Sequence, residues 1–430
     1  MKVAILGGGF AGLSAAYYLQ KKGHEVTIFE RDKELGGLAV GFTQPHWDWT
    51  LERAYHHLFA TDSSILELAK VTDFNGIFYQ APETAALYKI GNNYRTFPVD
   101  TPQDFLKFPL LSFIDKLRSG FTVLFLKLTP FLKIYESKTC EQFFSNTMGK
   151  QGWELLFGTL LRKKYGKYAG KVLASFIWAR VKVRTKSLGY VKGGFQAFVK
   201  HLEKTNTDLG VDIQKEHEVQ EIGKERDAFK VTYLNQKGEP QTADFDTVIS
   251  TLPSPILAKI AADLFPSSYF EKYKKLTYLN AVVLVLETKN PILDKAYWLN
   301  ICIPDMPLML VCQHTNFIDK KYYGGNNIAY IGWYVDKEDA LWSMDDKEIV
   351  SFIKPHLKKI NADFDLSSAK THLFKAPFAQ PVFDKNFVEN KPDFITPVKN
   401  FFIANLDMTY PNDRGTNYAV ALGKKVSELI

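Results

Sequence analysis

"KVAILGGGFAGLSAAYYLQKKGHEVTIFE", residues 2–30, decides the fold. KVAIL is a short apolar run of the kind that forms a buried strand. Gly7, Gly9 and Gly12 follow in G-x-G-x-x-G spacing. LSAAYYLQKK reads as a helix stopped by Gly23, and EVTIF as a second strand with Glu30 at its end. Each glycine has a separate task. Gly7 permits the tight turn, Gly9 lets backbone approach a pyrophosphate, and Gly12 lets the helix pack close to the strand. The free N–H groups of the helix start then face phosphate oxygens. Glu30 is placed to accept hydrogen bonds from ribose hydroxyls. Strand, glycine turn, helix, strand and acid in that order predict a dinucleotide-binding βαβ unit.

The rest of the composition sets limits. With 430 residues, 46% apolar and 23% charged, the chain has the balance of a globular protein large enough for more than one domain. Cys140, Cys302 and Cys312 form no C-x-x-C pair, which predicts a reducing compartment and neither a disulfide framework nor a zinc site. The glycine spacing near the start argues against a signal peptide. No uncharged apolar run reaches 18 residues, so no transmembrane helix is expected. The net charge of +7 is uneven. Between Glu154 and Glu203 no acid occurs, while eleven Lys and Arg do, leaving −4 for the remainder (7 − 11). Such a run is either a solvated face or a surface for a phosphate, a carboxylate or an acidic membrane. Nothing resembles a nucleic-acid reader module, so no nucleic-acid partner is expected.

After Glu30 comes RDKELGG, which puts Gly36 and Gly37 six and seven residues on. This E-x5-GG resembles the extended fingerprint of the amine oxidase, protoporphyrinogen oxidase and phytoene desaturase superfamily of flavoproteins, with UDP-galactopyranose mutase a more distant member. The resemblance implies non-covalent FAD. It places Glu30, Arg31, Gly36, Gly37 and Leu38 around the cofactor. Many relatives carry Arg or Lys where this chain has Leu38, so contact there falls to backbone amides. Val219 in EHEVQEI resembles the residue whose backbone holds adenine, and Pro253 closes a turn near the cofactor. VKNFFIANLD (398–407) resembles the late strand that returns to the flavin and brings Asp407 with it. DRGTNYAVALGKK resembles the final FAD motif, a helix N-terminus facing the pyrimidine side of the ring, with Thr416 or Asn417 as its cap. The likeness is specific at 3–59, 188–253 and 398–426 and loose elsewhere.

The implied fold class is α/β: a discontinuous Rossmann-like FAD-binding domain of the glutathione-reductase type with an interleaved α+β substrate domain. Residues 1–84, 188–254 and 396–430 are assigned to the first, 85–187 and 255–395 to the second. No second G-x-G-x-x-G occurs, so no separate NAD(P)H domain is expected.

For chemistry, His57 in LERAYHHLFATD (51–62) resembles the histidine of the mutase branch that lies against the flavin. A structural histidine bonding loop backbone is the competing reading. Arg414 is the second candidate, facing the flavin or an anionic substrate, or bracing its turn with Asp407 or Asp413. In GYVKGGF (189–195), Gly193 and Gly194 permit close backbone approach and Lys192 is a candidate for an anion. Phe113, Leu117, Phe121, Leu124 and Leu128 lie at helical spacing, flanked by lysines. Core packing is the favoured reading of that stripe, a basic amphipathic helix on an anionic bilayer the other. The resemblance implies removal of hydride from a substrate C–H to flavin N5, with oxygen or a quinone as acceptor. The substrate is a hydrophobic, lipid-like small molecule that carries phosphate or carboxylate in one version of this reading. Two alternatives stay open: a reduced-flavin sugar-nucleotide mutase, and a non-catalytic flavin-binding protein at a membrane. The expected location is cytoplasmic, with peripheral contact to the cytoplasmic face of the membrane left open.

Overall fold

The computed structural model describes residues 1–430. Its centre is a five-stranded parallel sheet in the order Asp212–Lys215, Glu25–Glu30, Lys2–Leu6, Thr247–Ser250, Phe401–Ile403. Lys2–Leu6 is central, with Val3 opposite Val26 on one side and Thr247 on the other. Its side chains alternate between two cores, as the strand period demands. Val3 and Ile5 join Leu13, Ala16 and Phe198. Ala4 and Leu6 join Phe229, Val248 and Phe401. Strand burial on both faces explains why KVAIL carries no polar residue after Lys2.

Glu218–Glu225, Ala228–Leu234 and Pro240–Phe245 form a separate antiparallel sheet. A seven-stranded sheet draws on distant parts of the chain: Glu83–Ile90 pairs with Ala296–Ile301, one of five strands between Tyr278 and Pro381, and Asn93–Pro98 forms the edge beside Glu83–Ile90. Only its Ala296–Ile301 pairing with Glu83–Ile90 is parallel. Helices between Pro102 and Val183 pack beside it around Phe144, Trp153, Tyr165 and Phe176.

The helix Phe113–Leu128 corrects an expectation. Its buried residues are Ser119, Thr122 and Leu126. The apolar stripe faces outward, with Phe113, Phe121 and Leu128 exposed at 72%, 69% and 72%. The periodicity was real, but small residues let this helix approach its neighbours. A Cβ on Gly152, in the helix Lys150–Trp153, would lie 3.0 Å from Ser119 Oγ, so a large side chain at 119 would not fit.

Candidate functional site

The first glycine loop and the Gly36–Gly37 pair are one structure. Gly9 and Gly36 form a parallel bridge, and Gly36 N donates to Gly8 O at 3.0 Å. Gly36 has φ +127°, open to glycine but costly for other residues. A Cβ on Gly37 would stand 3.3 Å from Gly9 Cα, and one on Gly12 would overlap the Gly7 carbonyl. Glu30 closes the loop from below. Its Oε2 accepts from Gly8 N at 2.8 Å and its Oε1 from Asp32 N at 3.0 Å. Burial pushes the Glu30 carboxyl above its ordinary range, although both backbone donors and Arg31 oppose that. Arg31 is exposed and loosely paired with Asp32 at 3.9 Å, and Leu38 is exposed at 42% beside the glycine pair. Val219 lies at the start of its strand, next to a bulge, and His217 N donates to Glu30 O at 2.8 Å. The chain before Val219 thus runs along the end of the strand that carries Glu30.

The helix Thr416–Ser427 lies against the helix Phe10–Lys21. Ser14 Oγ bonds Val420 O at 3.3 Å, and Lys22 Nζ bonds Ser427 O at 2.6 Å. Residue numbers rise together along both helices, so they run parallel and their N-termini, at Gly9 and Gly415, share one end. Neither N-terminus has a side-chain cap. That differs from the expected capping by Thr416 or Asn417. Asn417 Oδ1 instead accepts from Ser64 N at 2.9 Å and Ile65 N at 3.1 Å. It caps the helix Ser63–Val71, because its side chain crosses to the neighbouring helix start and leaves its own amides free.

Asp407 also departs from expectation. It is 1% exposed, and its Oδ2 accepts from Ser254 and from Tyr278 OH, the latter at 2.7 Å. The carboxylate ties its turn to the helix start at Ser254 and to the strand at Tyr278. Lys192 is exposed, and the Gly193–Gly194 pair packs on Thr50, whose Oγ1 bonds Gly193 O at 2.6 Å.

His57 sits in an aromatic wall. Its ring lies 5.3 Å from Phe59 and 6.2 Å from both Tyr297 and Trp298, and its Nδ1 is 3.3 Å from Tyr297 OH. Tyr55 meets Trp298 edge-on at 5.0 Å. Burial pulls the His57 pKa down to about 3, with His56, Arg184 and Arg180 adding repulsion. His57 is therefore neutral at physiological pH. His56 is held by Ala54 O at 2.7 Å and is drawn down by burial to about 4.

Arg414 braces two strands. It donates to Ala379 O at 2.8 Å and to Tyr334 OH, and its guanidinium lies 4.7 Å from the centre of the Tyr334 ring. Asp413 is held by Lys164 Nζ at 2.8 Å and by Arg180. Burial pushes the Asp413 carboxyl up, but Lys164, Arg180 and Arg414 outweigh it and hold it well below the usual range. Burial draws Lys164 down to about 7 against the pull of Asp413. Arg184 forms no ion pair. Its nearest bond is to Thr84 Oγ1 at 3.5 Å, with Asp100 a more distant countercharge. It keeps accessible surface although surrounding protein lowers its pKa. Lys164, Arg180 and Arg414 thus surround the Asp413 carboxylate, and Arg180 and Arg184 lie close enough to His57 to repel its charged form. Among these, sequence reasoning singled out Arg414 and His57 and had Lys164, Arg180 and Arg184 only within a basic run. It left Tyr55 and His56 as neighbours without a role and missed Tyr297, Trp298 and the part played by Glu52. Glu52 is buried, accepts from Tyr190 OH and Phe195 N, both at 2.7 Å, and is pushed by burial to about 7.

A family model described as flavin containing amine oxidoreductase matches residues 10–409. A stretch of 70 residues is 40% identical to 15-cis-phytoene desaturase of Synechococcus elongatus, covering 16% of this chain and 15% of that protein. This chain thus spans only a small part of the curated relatives it matches. An oxidoreductase structure from Methanosarcina mazei superposes with a TM-score of 0.76 at 17% identity, covering 100% of both chains. Reduced UDP-galactopyranose mutase gives 0.73 at 14% identity, over 99% of this chain and 94% of that one. At such identities the two structures establish the shared fold.

Proposed function

This chain belongs to the flavin containing amine oxidoreductase family, and from that premise we propose an FAD-dependent oxidoreductase of the oxidase or desaturase type. Its substrate is hydrophobic and anionic, and its acceptor is oxygen or a quinone. The observation that carries the reading is the pair of parallel, uncapped helix N-termini at Gly9 and Gly415. Two bundles of free amides at one end suit a ligand with a pyrophosphate and an electron-rich ring. The first would hold phosphates between Gly9 and the Gly36–Gly37 turn, joined by the Leu38 amide. Glu30 would use its remaining lone pairs on ribose, Arg31 would flank it, and the Val219 backbone would meet adenine. The amides of Thr416 and Asn417 would face the ring, favouring negative charge there by about 0.3–1 kcal/mol. Residues 1–84, 188–254 and 396–430 form this cofactor domain in our reading, 85–187 and 255–395 the substrate domain.

Bound non-covalently, FAD supplies the hydride acceptor at N5. The chain does the rest. The wall of Tyr55, His57, Tyr297 and Trp298 excludes water and orients an apolar substrate body. Neutral His57 adds no charge there, and Arg180 and Arg184 hold the anionic group. The cations beside His57 also suit a nucleotide diphosphate, so a mutase is the second reading.

Purified protein is expected to be yellow and to release FAD on denaturation. After anaerobic reduction, mixing with oxygen or a quinone should reoxidise it. A mutase would isomerise a nucleotide sugar only after prior reduction and would consume no acceptor. Arg184→Gln should raise KM for an anionic substrate by about 10-fold, with FAD retained, because a charge-assisted hydrogen bond is lost. A colourless protein that cannot be reconstituted with FAD overturns the proposal.

A further inference from the structure

The helix Phe113–Leu128 packs with its small and polar side inward and carries its apolar side outward. The segments on either side extend that surface. Leu106, from Pro102–Lys107, is 61% exposed, and Phe131, just before Leu132–Glu136, is 66% exposed. With Phe113, Phe121, Leu124 and Leu128 they make one outward apolar face, larger than scattered surface leucines would explain. No helix of the chain is long and apolar enough to cross a membrane.

The exposed charges on the same segments are all positive, whereas Asp104, Asp115 and Glu136 are half-buried. Lys107, Lys127 and Lys133 are exposed and take part in no ion pair. The acids nearby are already engaged. Asp104 closes the capping box with Thr101, and the Asp115 carboxylate accepts from Ser112 Oγ at 2.6 Å. We propose that this face docks on an anionic lipid bilayer, with the phenylalanines and leucines in the acyl boundary and the lysines at the headgroups. Charge selects this occupant. A second copy meeting the face about a twofold axis would set lysines against lysines. The helix rests on Ser175–Val183, through whose Trp178 Nε1 it is bonded at Thr129 O, 3.1 Å away. That second helix carries Arg180, so the docking face lies one helix from the cations around Asp413. The docking itself stands whether or not the flavin reading holds.

The test is flotation of the full-length, flavin-loaded protein with vesicles of phosphatidylcholine alone or mixed with phosphatidylglycerol. The expected result is partition onto the mixed vesicles that weakens as salt is raised. Replacing Phe113→Asn, Phe121→Asn and Leu128→Asn together should lower that partition by at least about 10-fold, with the melting temperature and flavin content unchanged. A second variant, Lys107→Glu with Lys127→Glu and Lys133→Glu, leaves the apolar side chains in place and should abolish the preference for the anionic vesicles. Undiminished binding by both variants overturns the proposal. So does a wild-type protein that ignores both vesicle types and sediments as a dimer that the asparagine variant dissociates.

Discussion

Ser14 Oγ lies 3.3 Å from the carbonyl oxygen of Val420, across the seam between two parallel helices 406 positions apart. At the same seam, a Cβ on Gly423 would overlap Ser14 Oγ and the Ala11 carbonyl. The alignment of the two helix N-termini therefore depends on the absence of one side chain. Gly423→Val should cost about 1–3 kcal/mol as an overpacking change. It should also lower FAD retention, because separating the helices moves one set of amides from the other. Thermal unfolding and the flavin-to-protein ratio after gel filtration check this. Unchanged values for both would show that the seam tolerates a gap.

Glu52 gives a pH prediction. Its folded pKa is raised by burial to about 7 from 4.5. A raised carboxyl favours folding in its protonated form. Its contribution is complete below about pH 4.5 and is lost as pH rises through about 7. The shift corresponds to about 3 kcal/mol. Glu52→Gln should flatten this part of the stability profile, measured by denaturant unfolding between pH 4.5 and 8. Parallel curves for the two proteins would show that Glu52 ionises without penalty.

Asp413 titrates in the opposite sense. Its pKa is depressed in the fold, so its contribution is present above the ordinary carboxylate range and is lost as pH falls below it. Asp413→Asn leaves Lys164, Arg180 and Arg414 without their close countercharge. Breaking a buried pair in this way costs about 3–5 kcal/mol. The loss in melting temperature should be large at pH 7 and small at the acid limit. A loss that stays constant with pH would mean that packing, not charge, accounts for it.

His57 is neutral across the working range, with a pKa of about 3. Flavin reduction should show no inflection near pH 6.5 from this residue. His57→Ala should slow reduction by about 10-fold through misorientation of the substrate, with FAD still bound. Stopped-flow reduction over pH 5–9 checks both statements. A histidine-like inflection that disappears in the variant would assign the residue an acid–base role instead.

The βαβ unit was legible because its information is local. Strand, turn, helix and acid lie within 29 residues, and each glycine has a steric reason. The outward stripe of Phe113–Leu128 was misread because periodicity shows that a helix has two faces, not which one meets protein. Ser119 held that information, but only Gly152 gives its size a meaning. The charge cluster was hidden by distance. Asp413 meets Lys164 across 249 positions and Arg180 across 233, so its partners appeared only as an anonymous basic run. Asn417 was singled out as a cap, and it is one, for a helix 353 positions away. Side chains that bridge remote segments are fixed by tertiary geometry, which no local window contains.

The place of Lys2–Leu6 at the middle of the central sheet has a consequence for biosynthesis. Its neighbour on one side, Thr247–Ser250, leaves the ribosome some 240 residues later. At about 5–20 residues per second, the apolar faces of the first strand wait roughly 10–50 seconds for that partner. The helix that aligns with the glycine loop arrives later still. Nascent chains of this protein are thus expected to occupy chaperones for most of translation and to acquire their flavin only after release.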